Sequence, residues 1–104
     1  MTNKEARRKI SQSDITRAIE VICEENESKQ FKLITVSELR NVLEYDVGKK
    51  VTRQTLRDYG VSKSGYYEKA YPDVFAWNNA RNPRKIGLIV RPQKFLDEIE
   101  VDTK

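Results

Sequence analysis

A chain of 104 residues with one cysteine and no histidine can be held together by little except a single hydrophobic core. Cys23 has no second cysteine with which to form a disulfide, and no His-ligated zinc site is available. The length is typical of one domain. Residues 1–10 are polar and show no helical or strand periodicity. We therefore predict a single domain at residues 11–104, preceded by a flexible basic arm at residues 1–10.

The same residue types exclude most familiar enzyme chemistry. Without histidine the chain has neither a Ser-His-Asp triad nor a Cys-His pair, and its sequence contains no glycine-rich phosphate loop. The acidic clusters at residues 24–27 and 97–100 are typical of exposed helix ends. We predict that the protein is not an enzyme and that it has no catalytic residues, no metal site and no cofactor.

Neither a membrane nor a secreted location is indicated. No apolar run approaches the roughly 20 residues of a membrane helix, and no signal peptide opens the chain. A lone cysteine suits a reducing compartment. We therefore expect a cytoplasmic protein.

Charge is unevenly distributed along the chain. Residues 15–48 carry four basic and seven acidic side chains, a net charge of −3, whereas residues 49–91 carry ten basic and three acidic ones, a net charge of +7. Residues 1–14 carry +2 and residues 92–104 carry −2. A basic middle between acidic regions indicates a surface that faces a polyanion, although charge alone does not distinguish DNA from RNA or an anionic membrane.

The first half of the chain predicts two helices around a short strand. The first helix, over residues 11–27, begins at the capping residues of the Ser11–Asp14 segment and has its apolar side chains spaced along one face: Ile15, Ala18, Ile19 and Ile22. A short strand is predicted at residues 31–34. The second helix begins at a capping box, Thr35 to Glu38, and ends near Tyr45, with a buried stripe of Leu39, Val42 and Leu43.

The second half predicts a third helix, a hairpin and a last short helix. Thr52 can cap a helix over residues 51–59, from which Arg53, Gln54 and Arg57 project together, and Gly60 ends it. An extra turn of helix is expected within residues 60–73. Strands at residues 74–77 and 86–90 enclose a turn-rich basic loop at residues 78–85, and the last helix starts at Pro92, with Phe95, Leu96 and Ile99 apolar.

This order of elements resembles that of winged helix-turn-helix proteins. The segment Val51-Thr52-Arg53-Gln54-Thr55-Leu56-Arg57-Asp58 is similar to the start of the recognition helix in small winged-helix regulators of bacteria, archaea, phages and plasmids. Ser37-Glu38-Leu39 with Leu43 resembles their supporting helix, so the likeness covers residues 34–61. It implies an α+β winged helix-turn-helix fold, with a three-helix core and a small antiparallel β-hairpin wing.

The resemblance implies a site-specific double-stranded DNA-binding protein, expected to be a small transcriptional repressor or regulator that acts as a homodimer. Arginine pairs well with guanine and glutamine with adenine in the major groove, which suits Arg53, Gln54 and Arg57 to base reading. The DNA backbone is expected to be held by Lys49, Lys50 and Thr52 and by the basic residues of the wing, the loop at residues 78–85. The complete set of predicted DNA-binding residues is Lys49, Lys50, Thr52, Arg53, Gln54, Arg57, Lys63, Arg81, Arg84 and Lys85.

A second register for the recognition helix stays open. The segment from Thr55 to Tyr67 resembles the helix-turn-helix of small phage repressors, with a recognition helix at residues 63–71. Three residues count against that register: Leu56 where a small residue is wanted, Lys69 where an apolar one is wanted, and Gly65 inside the helix.

Two other function classes also stay open. One is a winged-helix adaptor for protein contact in a viral, plasmid or DNA-segregation assembly, with the acidic residues 15–48 facing the partner. The other is a single-strand binder that stacks bases on Tyr66, Tyr67 and Tyr71, although these tyrosines also fit core and rim positions. For a dimer, the first helix and residues 95–99 offer the apolar surfaces.

Overall fold

The structure, a computed structural model, describes residues 10–48 and 50–102 and has α-helices on a small antiparallel sheet. This confirms the α+β class predicted from the sequence. Within the described residues there are five α-helices, one 3-10 turn and three strands. They are α1 Gln12–Glu25, β1 Lys32–Thr35, α2 Val36–Val47, α3 Arg53–Asp58, α4 Tyr66–Ala70, β2 Phe75–Asn78, the 3-10 turn Pro83–Lys85, β3 Gly87–Val90 and α5 Pro92–Asp102.

The sheet has the order β1-β3-β2, and both pairings are antiparallel. Leu88 of β3 lies opposite Ile34 of β1 and Trp77 of β2, and alternate residues of a strand face the same side. That side is buried against the helices. Gly87 allows β3 to approach β1 closely, because a Cβ atom there would lie 2.0 Å from the carbonyl oxygen of Ile34.

Most helix starts follow the predicted caps. The Ser11 side chain accepts from the Asp14 N–H and the Asp14 carboxylate accepts from the Ser11 N–H, which completes a capping box for α1. For α2 the Thr35 hydroxyl accepts from the Glu38 N–H at 3.1 Å, while the Glu38 carboxylate lies 3.2 Å from the ammonium of Lys32. The Thr35 cap is therefore confirmed, but the predicted capping box is wrong, because the Glu38 carboxylate pairs with Lys32 of β1 and does not return to the backbone of Thr35.

Helix α1 and helix α5 pack along each other and bury their main apolar faces inside the chain. The fully buried side chains include Phe95 of α5 and Ile15, Ala18, Ile19 and Cys23 of α1. The two segments that the sequence offered for a dimer contact thus cover each other. Leu96 and Ile99 remain half-buried at the edge of this contact. Within the described residues, no helix is both long and apolar enough to cross a membrane.

The chain before α1 is partly integrated into the core. Residues 1–9, nearly all of the predicted arm, lie outside the described residues. Ile10, the predicted last residue of that arm, is instead buried, and its carbonyl accepts a hydrogen bond from the Tyr59 hydroxyl at 2.7 Å. The folded structure therefore includes Ile10.

The extra turn of helix expected within residues 60–73 is confirmed as α4. Gly65 is the N-cap of α4 and not an interior residue, so the helix-propensity cost considered for the second register does not arise. Gly60, at φ 91°, turns the chain between α3 and α4. A Cβ atom on Gly60 would lie 2.3 Å from the Cβ of Tyr66, so this turn is tight because glycine occupies it.

Candidate nucleic-acid interface

A polar clamp from α2 holds the start of α3. The Arg40 side chain donates from Nε to the carbonyl of Val51 at 2.7 Å, and the Glu44 carboxylate accepts from the Val51 N–H at 2.9 Å. The Arg40 guanidinium and the Glu44 carboxylate themselves lie 3.8 Å apart. Both backbone polar groups of Val51 are thus satisfied from one neighbouring helix, which fixes where α3 begins.

Helix α3 has the predicted cap and a single buried anchor. The Thr52 hydroxyl accepts from the Thr55 N–H at 3.1 Å and lies 3.0 Å from the Thr55 hydroxyl. Leu56 is buried, and Val51 just before the helix is buried as well. A helix of six residues with one buried side chain has little packing of its own, so it depends on its clamp and its cap.

The outer face of α3 presents Arg53, Gln54 and Arg57, all of them exposed. The Gln54 amide donates from Nε2 to the Asp58 carboxylate at 2.8 Å and accepts from the Arg57 guanidinium at 3.5 Å. The three residues are therefore on one exposed side, as the spacing predicted. Gln54 is engaged within the helix at both ends of its amide group.

A shallow crevice connects α3 to the turn before α4 and to the sheet. It is lined by Val36, Arg53, Leu56, Arg57, Val61, Ser62 and Trp77. Val36 also donates its N–H to the carbonyl of Ile86 at 2.9 Å, one residue beyond Lys85. The two arginines of α3, the Ser62 turn and the end of the loop between β2 and β3 are therefore neighbours.

The loop between β2 and β3 is more ordered than the predicted turn-rich segment. Residues 83–85 form a 3-10 turn, capped by the Asn82 side chain, which accepts from the Arg84 N–H at 3.0 Å. The Asn78 amide donates to the Lys85 carbonyl at 2.7 Å and closes the base of the loop. The loop's three predicted DNA-binding residues are exposed: Arg81, Arg84 and Lys85.

Helix α4 is fixed to α1 through Tyr67, whose side chain is fully buried. The Tyr67 hydroxyl lies 2.8 Å from both the Gln12 amide and the Thr16 hydroxyl. Burial raises the pKa of Tyr67 to about 12. Tyr67 is thus a core residue, as the core and rim interpretation of the tyrosines predicted, and Tyr66 is 47% exposed.

Glu68 links α4 to the sheet. One carboxylate oxygen accepts from the Ser64 N–H, and the other accepts from the Trp77 N–H at 3.1 Å. Sequence reasoning missed Glu68, and it missed the clamp formed by Arg40 and Glu44. No spacing pattern reveals these residues, because their partners lie in other elements and are backbone groups.

The basic side chains of this surface outnumber the acidic residues nearby, which bond uncharged donors and form no ion pairs with them within the described residues. Asp58 and Glu68 are engaged with the uncharged donors described above, and Asp73 lines a separate depression beside Phe31 and Arg91. Within residues 10–48 and 50–102, none of the following basic side chains forms an ion pair: Arg53, Arg57, Lys63, Lys69, Arg81, Arg84 and Lys85. We call this set, with the Ser62 turn that joins its parts, the basic surface.

The other predicted DNA-binding residues fall at the edge of this arrangement. Lys49 lies outside the described residues. Lys50 is exposed immediately before the clamped Val51, and Lys63 is exposed in the turn before α4. Thr52 is also exposed, although its hydroxyl is already engaged as the cap of α3.

The described residues also contain no group of three acidic, cysteine or histidine side chains that could hold a metal ion. Cys23 is fully buried, and desolvation, together with the charges of Glu20 and Glu24, raises the pKa of its thiol to about 12. A thiol with a raised pKa is a poor nucleophile at neutral pH, because the thiolate is the reactive form.

Comparisons of the chain with protein-family models, with curated proteins and with solved structures found no match.

Proposed function

We propose that this protein is a small winged helix-turn-helix protein that binds double-stranded DNA site-specifically and acts as a transcriptional repressor or regulator. The chain order and the sheet order β1-β3-β2 support a winged-helix arrangement, in which the loop at residues 78–85 is the wing. The fold by itself does not select DNA as the partner, so the proposal depends on the surface.

The observation that carries the proposal is the uncompensated positive charge of the basic surface. Its arginines and lysines are exposed, and they form no ion pair within the described part of the chain. Val36 connects the crevice beside α3 to the end of the loop through its bond to Ile86. Binding to phosphates would neutralise this charge and release the counterions condensed on DNA.

In the proposed complex α3 enters the major groove and the wing contacts the adjacent backbone. Arg53 and Arg57 form no ion pair within the described residues, and a guanidinium has the fork geometry that guanine favours. Gln54 must release Asp58 before its amide can read an adenine. The basic residues before α3 and on the wing contact phosphates: Lys50, Arg81, Arg84 and Lys85. These contacts position the protein on the DNA but carry no sequence information.

A homodimer is part of the proposal, because six residues of α3 offer few base contacts and paired half-sites multiply them. Sedimentation velocity with and without a selected DNA site measures the stoichiometry. Two copies on each site are the expected result.

The first experiment titrates salt against binding to a labelled duplex of random sequence, by fluorescence anisotropy. The wild type should show a linear fall of log affinity with log salt, with a slope of about −0.9 for each phosphate neutralised. Arg53→Ala/Arg57→Ala should bind about tenfold more weakly with a slope flatter by one to two units. Arg17→Ala/Lys29→Ala, which removes the same charge from α1 and the following turn, is the matched control and should bind like the wild type.

Three outcomes would overturn the proposal. A wild type that ignores duplex DNA at low salt would leave the protein-adaptor alternative in its place. Equal losses of DNA affinity in the arginine variant and in the control would mean that binding depends on the net charge of the protein and not on a defined surface. A preference for single strands that is lost in Tyr66→Ala would favour the single-strand alternative, which now depends mainly on Tyr66 because Tyr67 is buried.

A further inference from the structure

A groove of about 500 Å³ runs between α1 and α5. Its lining comes from one stripe of α1 with the turn after it and from one stripe of α5. The lining residues are Thr16, Glu20, Glu24, Glu27, Gln93, Leu96 and Ile99. Thr16 to Glu24 covers about 12 Å along the α1 axis, or a little over two helical turns, and Glu27 follows in the turn after the helix. The groove is therefore as long as a short helix.

The two walls of the groove differ in chemistry. The α5 wall offers Leu96 and Ile99, half-buried apolar side chains that rest on the core. The α1 wall offers Glu20, Glu24 and Glu27, and none of these carboxylates has an ion-pair partner within the described residues. Like charges one turn apart on a helix repel, so a cation at this wall relieves an existing repulsion.

From this pairing of walls we infer that the groove docks a basic amphipathic helix of a partner protein. Such a helix places apolar side chains against Leu96 and Ile99. Its lysines or arginines, one turn apart, meet Glu20, Glu24 and Glu27 at matching spacing. Binding of an amphipathic helix in a groove with complementary charge at the rim is a common mode of peptide recognition.

A second copy of this chain is a poorer occupant. In a two-fold dimer the same patch faces itself, and its described lining has three glutamates and no basic side chain to pair with them. The α5 helix is itself acidic on its outer side, with Asp97 and Glu98 exposed. Self-association through this groove would therefore bring like charges together at short range.

The test uses an 18-residue synthetic peptide with leucines on one helical face and lysines on the other, labelled for fluorescence anisotropy. Two control peptides are used: one has the same composition scrambled so that no apolar face remains, and the other has glutamate in place of lysine. The full-length protein should bind the amphipathic peptide saturably and ignore the glutamate peptide. The scrambled peptide should bind at least about tenfold more weakly, because attraction between exposed charges alone is weak.

The matched variants remove equal charge from the groove and from elsewhere. Glu20→Gln/Glu24→Gln/Glu27→Gln should weaken binding of the amphipathic peptide by at least about tenfold. Glu25→Gln/Asp46→Asn/Glu98→Gln carries the same net charge and should bind like the wild type. In an amide NMR spectrum the shifts caused by the peptide should be confined to residues 16–27 and 93–99. All these changes are on the surface, and unchanged thermal unfolding checks that both variants are folded.

Three results would overturn the inference. The first is equal binding by the two triple variants. The second is equal binding of the amphipathic and scrambled peptides, which would reduce the effect to general attraction of a polycation. The third concerns the chain's own basic N-terminal residues: a gain of tenfold or more in peptide affinity when Lys4, Arg7, Arg8 and Lys9 are changed to alanine would make that segment the occupant. The assay contains no DNA, so its failure and the failure of the DNA-binding proposal are independent.

Discussion

The basic surface and the acidic groove are built in opposite ways. The basic surface rests on α3 and α4, helices of six and five residues that each bury one side chain, Leu56 and Tyr67. The groove rests on α1 and α5, helices of 14 and 11 residues whose contact is mainly apolar. Short helices cannot be held by packing alone, so polar contacts from other elements hold the basic surface in place.

This difference makes the two regions separable by experiment. The polar contacts are the Val51 clamp from α2, the Tyr67 hydroxyl on α1 and the Glu68 carboxylate on the sheet. Their loss should disturb the basic surface and reach the α1–α5 groove only at Thr16, which contacts the Tyr67 hydroxyl and also lines the groove. The groove should respond only to changes in its own charges or in the core beneath it.

The largest effect is expected from Tyr67→Ala. Removing a fully buried ring leaves a cavity and should lower the free energy of unfolding by about 3–5 kcal/mol. It also leaves Gln12 and Thr16 without their common partner. Urea denaturation measures the loss. Tyr66→Ala, at the exposed neighbouring position, is the control, and an equal loss there would contradict the assignment of Tyr67 as the anchor of α4.

Alkaline pH tests two buried groups of the single core, Cys23 beneath the acidic wall and Tyr67 in α4. Both pKa values are raised to about 12, so both groups favour the protonated folded state. Their contribution to stability is complete below the unfolded pKa values, near 9 and 10, and is lost as the pH rises towards 12.

Each pH unit in that window should lower the free energy of unfolding by about 1.4 kcal/mol per group. Denaturant unfolding at pH 8 to 11 measures it. Cys23→Ala and Tyr67→Phe should each flatten the pH dependence of the free energy of unfolding. Each variant should remove only the contribution of the group that it replaces. A pH dependence identical to that of the wild type in either variant would show that the group is not responsible.

Glu44→Ala tests whether DNA affinity depends on the position of α3 or only on the net charge of the protein. Loss of a negative side chain would raise DNA affinity if charge alone mattered. Because Glu44 holds the Val51 N–H, we expect instead that DNA affinity falls about fivefold and stability by about 1–2 kcal/mol. Asp46→Ala, on the same helix and exposed, is the control and should leave affinity equal or slightly higher. Anisotropy with the same duplex decides between the two expectations.

The smallest effect distinguishes the two registers of the recognition helix. Lys63→Ala/Lys69→Ala removes two exposed charges from the α4 side of the basic surface and should weaken binding to a selected DNA site about threefold, with its sequence preference unchanged. If α4 reads the bases, this variant will change the preferred sequence and Arg53→Ala/Arg57→Ala will not. Selection from a random DNA pool with each variant measures the preference.

Much of the local structure could be predicted from the sequence. The caps at Ser11, Thr35 and Thr52, the start of α5 at Pro92 and the projection of Arg53 with Arg57 all follow from interactions within four residues of the chain. The segregation of charge into acidic and basic segments is equally a property of the sequence. For these features the neighbours along the chain are also the neighbours in space.

Only the tertiary structure decided which elements meet. It paired β1 with β3, made Gly65 a cap, and brought Gln12 to Tyr67 across 55 positions of sequence. It also placed Arg40 and Glu44 on the backbone of Val51, and Glu20 and Glu24 across a groove from Leu96. These contacts depend on how the whole chain closes around one core. Every buried backbone N–H needs an acceptor, but the sequence does not indicate which distant side chain will supply it.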